Sequence, residues 1–311
     1  MIVTLTMNPA IDRTVIIESV ALGETNRIQE VKVDASGKGV NVSRALLQQG
    51  LPSLAMGFLG GTEGEYIATS LKSENLETKF TWIEQGSTRV NTKVYEQAAG
   101  RTTELNEPGP VVTSRDVERL YEALEEVLPQ TEILICAGSL PRGMEGSFYY
   151  DLIQKCKKSG VQVFLDASGN ALTKGVQAIP TFIKPNEDEA EMLLGKRVRS
   201  RTEIITAMHD LRELGIPYIV LSLGEAGAVF CAQGEPLLWA QAQAEQVLST
   251  SGCGDSLVAS FVSSLVKKRS WLETVRWSVA TATATAEMTG TVFPDLEHIQ
   301  RTLPRVRIEE L

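Results

Sequence analysis

The sequence predicts a three-layer α/β fold, in which helices cover both faces of a mostly parallel sheet. Short apolar, β-branched runs alternate with amphipathic helical stretches along the 311 residues. These runs are continuously apolar, which is typical of parallel strands buried on both faces. The composition agrees, since 43% hydrophobic and 22% charged residues are ordinary for a globular chain. Because no repeat or linker interrupts this order, we expect one domain over residues 1–311.

The elements can be placed one by one from these patterns. Strands are predicted at Ile2–Met7, Leu54–Leu59, Ile133–Ala137, Val161–Asp166, Phe182–Lys184 and Tyr218–Ser222. Amphipathic helices are predicted at Asp116–Val127, Gly146–Ser159 and Arg201–Leu214. Ligands of such sheets bind beyond the carboxyl ends of the strands. The loops that follow strands are therefore where we expect the functional site.

Two segments depart from this alternation and predict a small inserted sheet. Residues 13–34 and 88–106 show two-residue alternation with no helix between the strands. Its strands are expected at Arg13–Glu18, Arg27–Val33, Thr88–Gln97 and Thr102–Leu105. We expect an antiparallel sheet that covers the site as a lid, and its exposed face is also a candidate surface for a homodimer.

Charge and composition exclude several classes of protein. Thirty Lys and Arg residues against 39 Asp and Glu give a net charge of −9, which disfavours a general nucleic-acid binder. No apolar run approaches the roughly 18 residues of a membrane span. The four cysteines are scattered without a C-x-x-C pair, so neither a zinc site nor a disulfide framework is indicated. A reducing cytoplasm is the simplest compartment.

The strongest motif is a glycine turn, Gly252-Cys253-Gly254-Asp255, followed by the apolar run Leu257–Val266. The free N–H groups and the positive dipole end of a helix N-terminus form an anion site. A carboxylate placed there can take a proton from a substrate hydroxyl while the N–H groups stabilise a transferring phosphoryl group. The alternative is that Asp255 merely caps the helix.

Two further segments suit a polyol that carries an anionic group. Gly37 enters a helix in which Lys38 offers a positive charge and Asn41 an amide about one turn later. Asp12 follows the first strand and can accept hydrogen bonds from hydroxyls. The alternative for the first segment is an ordinary helix start with a solvated lysine. Gly39 follows Lys38 where a Walker A loop requires Ser or Thr, so this is not a P-loop.

The loops after later strands carry weaker signals. Asn186 and Glu189 share one helix face and could hold a hydrated Mg²⁺, although acidic residues also favour helix N-termini for dipole reasons. Gly224 and Gly227 permit close approach of a ligand, or form a simple hairpin. Ser139 ends another strand and aims a hydroxyl into the same crevice.

These segments, in this order, resemble the ribokinase-like (PfkB) family of sugar kinases, over essentially the whole chain. The most specific parts are the glycine turn, the Gly37–Asn41 helix entry and Lys184–Glu189. Other segments resemble the phosphosugar branch of this family, the fructose-1-phosphate and tagatose-6-phosphate kinases. They are Leu5–Asp12, Thr88–Asn91, Asn106–Gly109 and Gly138–Pro141.

The resemblance implies a role for individual residues. Asp255 would be the general base, and the N–H groups of Gly252, Cys253 and Gly254 would form the anion hole. The sugar phosphate would be bound by Asp12, Gly37, Lys38, Asn41, Arg89, Asn91, Ser139 and Arg27. ATP would be bound by Lys184, Asn186, Ser222, Gly224, Gly227 and Thr250, with the helix Ser278–Glu287 beside the adenine. Glu189, with Asn186, would act on Mg²⁺.

The resemblance also implies the reaction, an ATP- and Mg²⁺-dependent phosphorylation of a ketohexose monophosphate. Fructose 1-phosphate, converted to fructose 1,6-bisphosphate, is the first expectation. Tagatose 6-phosphate and fructose 6-phosphate stay open as alternative substrates. A non-catalytic sugar-phosphate-binding regulator is the alternative from another class, and the presence of Asp255 argues against it.

Two positions depart from the family pattern. Ser36 stands where a glycine is usual, and Cys253 stands where alanine or another small residue is usual. A thiol at a helix N-terminus can have a lowered pKa. The hypothesis is that Cys253 makes the protein sensitive to thiol reagents and that ATP protects it. The alternative is a small residue tolerated in a tight turn.

Overall fold

A computed structural model describes all residues from 1 to 311 and contains a large sheet, a small sheet and ten α-helices. The strands are β1 Ile2–Thr6, β2 Ala10–Ile17, β3 Glu30–Ser36, β4 Leu54–Leu59, β5 Glu77–Trp82, β6 Arg89–Glu96, β7 Arg101–Leu105, β8 Ile133–Ala137, β9 Gln162–Asp166, β10 Phe182–Ile183, β11 Tyr218–Ser222, β12 Ala228–Ala232, β13 Leu238–Gln241 and β14 Arg307–Glu310. The helices are α1 Lys38–Gln48, α2 Gly61–Ser73, α3 Ser114–Val127, α4 Phe148–Lys158, α5 Gly169–Gln177, α6 Glu187–Leu194, α7 Arg201–Arg212, α8 Cys253–Val266, α9 Trp271–Ala286 and α10 Leu296–Thr302.

The large sheet has ten strands in the order β14-β13-β12-β11-β10-β9-β8-β1-β4-β5. The strands from β11 to β5 all pair in parallel. The chain then turns back, so that β12, β13 and β14 form an antiparallel edge. The mostly parallel sheet predicted from the continuous apolar runs is therefore confirmed.

Helices cover both faces of this sheet and enclose two apolar clusters. One face packs against α3 to α7, with Leu120, Leu152 and Met208 fully buried. The other face packs against α1, α8, α9 and α10 through side chains such as Leu46 and Phe261. This is the predicted three-layer arrangement. No helix of the structure combines the length and the apolar character needed to cross a membrane.

The small sheet, called the lid here, has the order β3-β2-β6-β7. The prediction of a purely antiparallel lid is wrong, because β2 and β6 pair in parallel. Both strands start from the carboxyl-terminal end of the parallel strands, β2 directly after β1 and β6 after β5. They therefore run in the same direction. The lid strands also begin at other residues than predicted: β2 starts at Ala10, and β3 ends at Ser36, which pairs with Ala10.

The lid shares a core with the body of the protein. Ile11 and Ala35 of the lid belong to the same buried cluster as Val40 of α1 and Ile67 of α2. Tyr66 of α2 adds a hydrogen bond, since its hydroxyl donates to the carbonyl of Val33 at 3.0 Å. The base of the lid is thus anchored next to the helix that carries Lys38 and Asn41.

Candidate active site

The cleft lies where the carboxyl ends of the parallel strands meet the N-termini of α1 and α8, with the lid beside it. Helix α8 begins after Gly252, whose φ of 80° lies in the left-handed region that favours glycine. The N–H groups of Gly252, Gly254 and Asp255 make no hydrogen bond within the protein, and that of Cys253 lies 3.5 Å from the carbonyl oxygen of Thr250. The predicted anion turn therefore presents free N–H donors at the positive end of a helix dipole.

Asp255 is buried and held by the predicted sugar-binding amide. The Nδ2 of Asn41 donates to the Oδ2 of Asp255 at 2.8 Å. Helix α8 has no side-chain cap, so the alternative that Asp255 only caps the helix is not what the geometry favours. Burial raises the pKa of Asp255 to about 6, while the positive charge of Lys38 opposes this rise. A carboxyl group with this pKa is ionised at neutral pH and can still accept a proton.

An ion triad around the buried carboxylate of Asp166, which sequence reasoning missed, lies beside Asp255. The Oδ1 of Asp166 accepts from the Nζ of Lys38 at 3.1 Å and lies 3.3 Å from the Nζ of Lys184. Burial opposes ionisation of Asp166, but Lys184 and Lys38 together lower its pKa. Asp166 is the last residue of β9 and was predicted only as the end of a strand. Its position at the carboxyl end of that strand is the signal that could have identified it.

The triad fixes two ammonium groups at the anion turn. A methyl group placed on Gly254 would lie 3.3 Å from the Nζ of Lys184. Burial disfavours the charge of Lys38, but the carboxylates of Asp166 and Asp255 outweigh it and raise the pKa of Lys38. Lys38 therefore remains charged beside the turn, and the side chain of Lys184 lies against Gly254.

Several buried side-chain oxygens of the cleft have no hydrogen-bond partner in the protein. Buried polar groups are normally paired, and five without a partner lie around this cleft, namely Thr6 Oγ1, Asn8 Oδ1, Asn41 Oδ1, Asn91 Oδ1 and Asp166 Oδ2. Such a set suits a ligand with many hydroxyl groups. Asn91 contributes its oxygen from the lid side, and its Nδ2 donates to the Oδ1 of Asp12 at 3.1 Å.

Gly37 brings α1 close to the first strand. Its φ is 139°, and a methyl group at this position would lie 2.7 Å from the Cγ2 of Thr6. Only glycine fits without a shift of either segment. This close approach is what places Lys38 and Asn41 at the floor of the cleft.

Arg89 is bound to the backbone on one side. Its Nε and Nη2 donate to the carbonyl of Asn8 at 3.2 and 3.0 Å, and its Nη1 donates to the carbonyl of Glu107 at 3.0 Å. A guanidinium group has five N–H donors, so one remains on each terminal nitrogen. Ser139 lies near, since its Oγ accepts from the Nδ2 of Asn8 at 3.4 Å. Asn8, which joins these groups, was not among the predicted site residues.

Among the predicted site residues, Arg27 lies away from the cleft of its own chain. It lies in the exposed loop between β2 and β3, at the opposite end of the hairpin from Asp12. It makes no hydrogen bond or ion pair with another predicted site residue. The strand that was expected to begin at Arg27 begins three residues later.

The predicted nucleotide-binding residues lie along the carboxyl ends of β10 and β11. Asn186 and Ser222 form an isolated parallel bridge directly after Lys184. Gly224 is exposed at the start of a short turn, whereas a side chain at Gly227 would collide with the backbone of β13. Gly227 is therefore explained by packing of the hairpin, the alternative already open for this turn. Thr250 is exposed in the loop before the anion turn.

Asn186 and Glu189 form a capping box at the start of α6. The Oδ1 of Asn186 accepts from the N–H of Glu189 at 2.8 Å, and the Oε2 of Glu189 accepts from the N–H of Asn186 at 3.0 Å. No group of three or more His, Cys, Asp or Glu side chains is placed to hold a metal ion. One free oxygen of Glu189 remains available for a ligand.

The prediction of an activated thiol at Cys253 is wrong. Burial raises the pKa of Cys253 to about 11, and the neighbouring Asp255 raises it further. Desolvation and a nearby negative charge outweigh the helix dipole at this position. A small side chain in a tight turn is what the structure supports here.

Comparisons with known proteins agree with this geometry. The model of the pfkB family of carbohydrate kinases matches residues 1–299. Two curated relatives are the 1-phosphofructokinases of Bacillus subtilis, 34% identical over 100% of both chains, and of Haemophilus influenzae, 32% identical over 99% of this chain and 97% of the relative.

Solved structures give the same result. Phosphofructokinase-2 from Escherichia coli in complex with substrates and products has a TM-score of 0.90 and 26% identity, and the match covers 97% of this chain and 98% of that one. A possible 1-phosphofructokinase from Thermotoga maritima has a TM-score of 0.90 and 26% identity over 100% and 99% of the two chains. With its free anion turn and its buried carboxylate, this chain belongs to the pfkB family of carbohydrate kinases.

Proposed function

We propose that the protein transfers the γ-phosphoryl group of ATP to the C6 hydroxyl of fructose 1-phosphate, giving fructose 1,6-bisphosphate. The observation that carries this proposal is that the buried carboxylate of Asp255 lies next to the glycine turn, whose N–H groups are free to bind a ligand. A proton acceptor and an anion hole then meet at one point, as phosphoryl transfer to an alcohol requires. The choice of sugar phosphate is supported by curated relatives named 1-phosphofructokinase at 32–34% identity.

In the proposed mechanism, Asp255 accepts the proton of the C6 hydroxyl as that oxygen attacks the γ-phosphorus. The bond from this phosphorus to the β,γ-bridging oxygen breaks, and ADP leaves. The N–H groups of Gly252, Cys253 and Gly254 donate to the γ-phosphoryl oxygens, and the ammonium group of Lys184 lies against the same turn. Asn41 orients the carboxylate, while its free oxygen and that of Asn91 accept from sugar hydroxyls. The protein contributes mainly position and charge, which is what this transfer needs.

The substrate phosphate is assigned to a cationic corner formed by Lys38 and Arg89, with Ser139 beside it. A phosphate monoester carries close to two negative charges near neutral pH, and a protein with net charge −9 needs local cations to bind it. The two N–H groups that Arg89 leaves free can bind two phosphate oxygens at once. The role of Lys38 is shared, because its ammonium group also pairs with Asp166.

We propose Mg²⁺ as the metal ion of the reaction. Mg²⁺ keeps several waters and is bound in kinases by one or two carboxylates together with substrate phosphates. The unpartnered Oδ2 of Asp166 and the free oxygen of Glu189 are oxygen donors of this kind. When bound, Mg²⁺ would neutralise charge on the phosphates. We assign the binding of ATP to Asn186, Ser222, Gly224 and Thr250.

We also propose that two copies of the chain pair through the face of the lid that is turned away from the cleft. The register of the lid puts Asp12, Asn91 and Lys93 on one face and the valines of β2, β3 and β6 on the other. On that second face Val31 and Val33 are each 42% exposed, and Leu105 is 59% exposed. A second copy would remove this apolar surface from water.

The direct test is an assay of ADP release with ATP and Mg²⁺, comparing kcat/KM among sugar phosphates. We expect fructose 1-phosphate to be preferred over fructose 6-phosphate, tagatose 6-phosphate and free fructose. The matched variant is Asp255→Asn, for which kcat should fall by about 10²–10⁴ while ATP still binds. A preference for either 6-phosphate would keep the chemistry and reverse the sugar in the cleft. Activity on free fructose alone would overturn the phosphate corner.

A further inference from the structure

The lid is joined to the anion turn through one side chain, that of Lys93. Its Nζ lies 2.9 Å from the Oδ2 of Asp12 and donates to the Oγ of Ser251 at 3.2 Å. Asp12 belongs to the lid, whereas Ser251 directly precedes Gly252. The Lys93 side chain is only 14% exposed, and its ammonium group also lies 3.9 Å from the Oε1 of Glu104 in the neighbouring lid strand.

No other side chain makes this connection. The lid meets the body through several contacts, but those of Tyr66, Arg44 and Arg89 join it to α2, α1 and the end of β1. Between the lid strands and residues 249–266, the contact of Lys93 with Ser251 is the only hydrogen bond or ion pair.

We propose that Lys93 is a positioning residue that couples the sugar side of the site to the phosphoryl side. Its charge compensates the buried carboxylate of Asp12, whose other oxygen is occupied by Asn91, so that Asp12 faces the substrate in one orientation. The same ammonium group holds Ser251 and with it the entry to the anion turn. When a sugar hydroxyl binds to Asp12, Lys93 thereby keeps the N–H groups of the turn directed at the phosphoryl group that is transferred.

The physical consequence is a split between two kinetic constants. Loss of the charge leaves Asp12 buried without its counter-charge, which weakens binding of the sugar and raises its KM. Loss of the hydrogen bond frees Ser251 and misplaces the turn, which lowers kcat, since a displacement near 1 Å can cost about 10²-fold. If Lys93 were only structural, its replacement would lower the stability of the protein but would not change KM and kcat in this way.

The first test needs no substrate. Hydrogen–deuterium exchange of peptides covering residues 249–256 is compared among wild type, Lys93→Met and Ser251→Ala in the absence of ligand. We expect faster exchange in both variants. The matched control is Lys32→Met, since Lys32 lies on the same lid face, is 47% exposed and pairs only with Glu30. Exchange in Lys93→Met equal to that in the control would overturn the proposal.

The second test measures kinetics and rests on the proposed function, using whichever sugar phosphate the wild-type enzyme turns over. Lys93→Met should raise the KM for the sugar and lower kcat, each by about 10–100-fold, with the KM for ATP unchanged. Ser251→Ala should lower kcat alone. In the double variant kcat should equal that of Lys93→Met, because both changes remove one contact. Additive losses in kcat would contradict the coupling. An enzyme inactive on fructose 1-phosphate would count against the proposed function but not against the exchange result.

Discussion

The carboxyl group of Asp255 illustrates how a reactive side chain is kept at a cost in stability. Burial raises its pKa to about 6 from an ordinary 3.8. The folded protein then holds the proton more tightly than the unfolded chain, so stability is lost as the pH rises through this window and stays lower above it. The shift corresponds to at most about 3 kcal/mol.

We therefore expect Asp255→Asn to raise the Tm at pH 7.5, although it removes activity. An amide at this position carries no charge to desolvate and can donate to the free oxygen of Asn41. The gain should shrink as the pH falls from about 6 towards 3.8 and vanish below that range, where the wild-type carboxyl group is protonated in both states. Thermal unfolding of both proteins between pH 4 and pH 8 measures this, and a gain that did not depend on pH would contradict it.

The same pKa predicts the acid limb of the pH–rate profile. Since the base must be ionised, kcat/KM should fall about tenfold per pH unit below a pKa of about 6. The hydrogen bond from Asn41 lowers the pKa of Asp255, so Asn41→Ala should move this limb to higher pH. Ionisation of the substrate is the same for both enzymes and cancels in the comparison. An unmoved limb would show that another group titrates.

Arg89 offers a test of the phosphate corner. Arg89→Ala should weaken binding of the sugar phosphate by about 1.5–3 kcal/mol and leave the KM for ATP unchanged. Arg89→Lys is the matched variant, because it keeps the charge and loses the planar fork; its loss should be smaller. If only the affinity for ATP changed in either variant, the corner would be assigned to the wrong ligand.

Whether a site residue could be predicted from the sequence depends on how far along the chain its contact partners lie. Gly37, Asn41 and Asp255 lie in glycine turns at helix starts, which are local patterns. Asp166 and Lys93 were missed because each has a partner in a distant segment: Lys38 is 128 residues from Asp166, and Ser251 is 158 residues from Lys93. Cys253 was misjudged because the helix dipole is visible in the sequence and burial is not.

At the scale of elements, the lid is the part that the sequence described least well. Its existence and position were predicted, but its first strand was expected to begin at Arg13, whereas Ala10–Asp12 already pair in register with Asp34–Ser36. Pairing between strands that are distant in sequence decides such boundaries. The same pairing put Asp12 in a strand, where its carboxylate has a fixed orientation.

The outer face of the lid predicts the oligomeric state. Val33→Glu places a charge on the apolar face and should convert a dimer into a monomer at micromolar concentration, as measured by sedimentation. Thr102→Glu is the control, since Thr102 pairs with Tyr95 and lies on the cleft face of the same sheet. A wild-type protein that sediments as a monomer would remove the proposed interface.

At the scale of the whole molecule, the continuous apolar strands were sufficient to predict the layers. The turned-back edge of β12 to β14 was not predicted, since short buried strands look alike whether they are parallel or antiparallel. One domain over residues 1–311 stays a prediction. The lid and the body share a buried cluster in which Ile11 and Ala35 pack with Ile67.

One cooperative unit should also unfold as one. We expect a single calorimetric transition whose calorimetric and van't Hoff enthalpies agree, measured at a fixed protein concentration because dimers unfold in a concentration-dependent manner. Two resolved transitions, or loss of the lid signal before that of the body, would indicate separate domains.

The division between lid and body has a consequence for how such an enzyme can change over generations. The proposed proton acceptor and the anion turn belong to the body, while Asp12, Asn91 and Lys93 of the proposed sugar site lie in two short insertions. Apart from Lys93, which is bound to Ser251 next to the anion turn, residues of these insertions can change without altering the turn. We therefore expect substrate specificity to change in evolution mainly through mutations in the lid. An engineer who wants another acceptor should mutate the lid residues first.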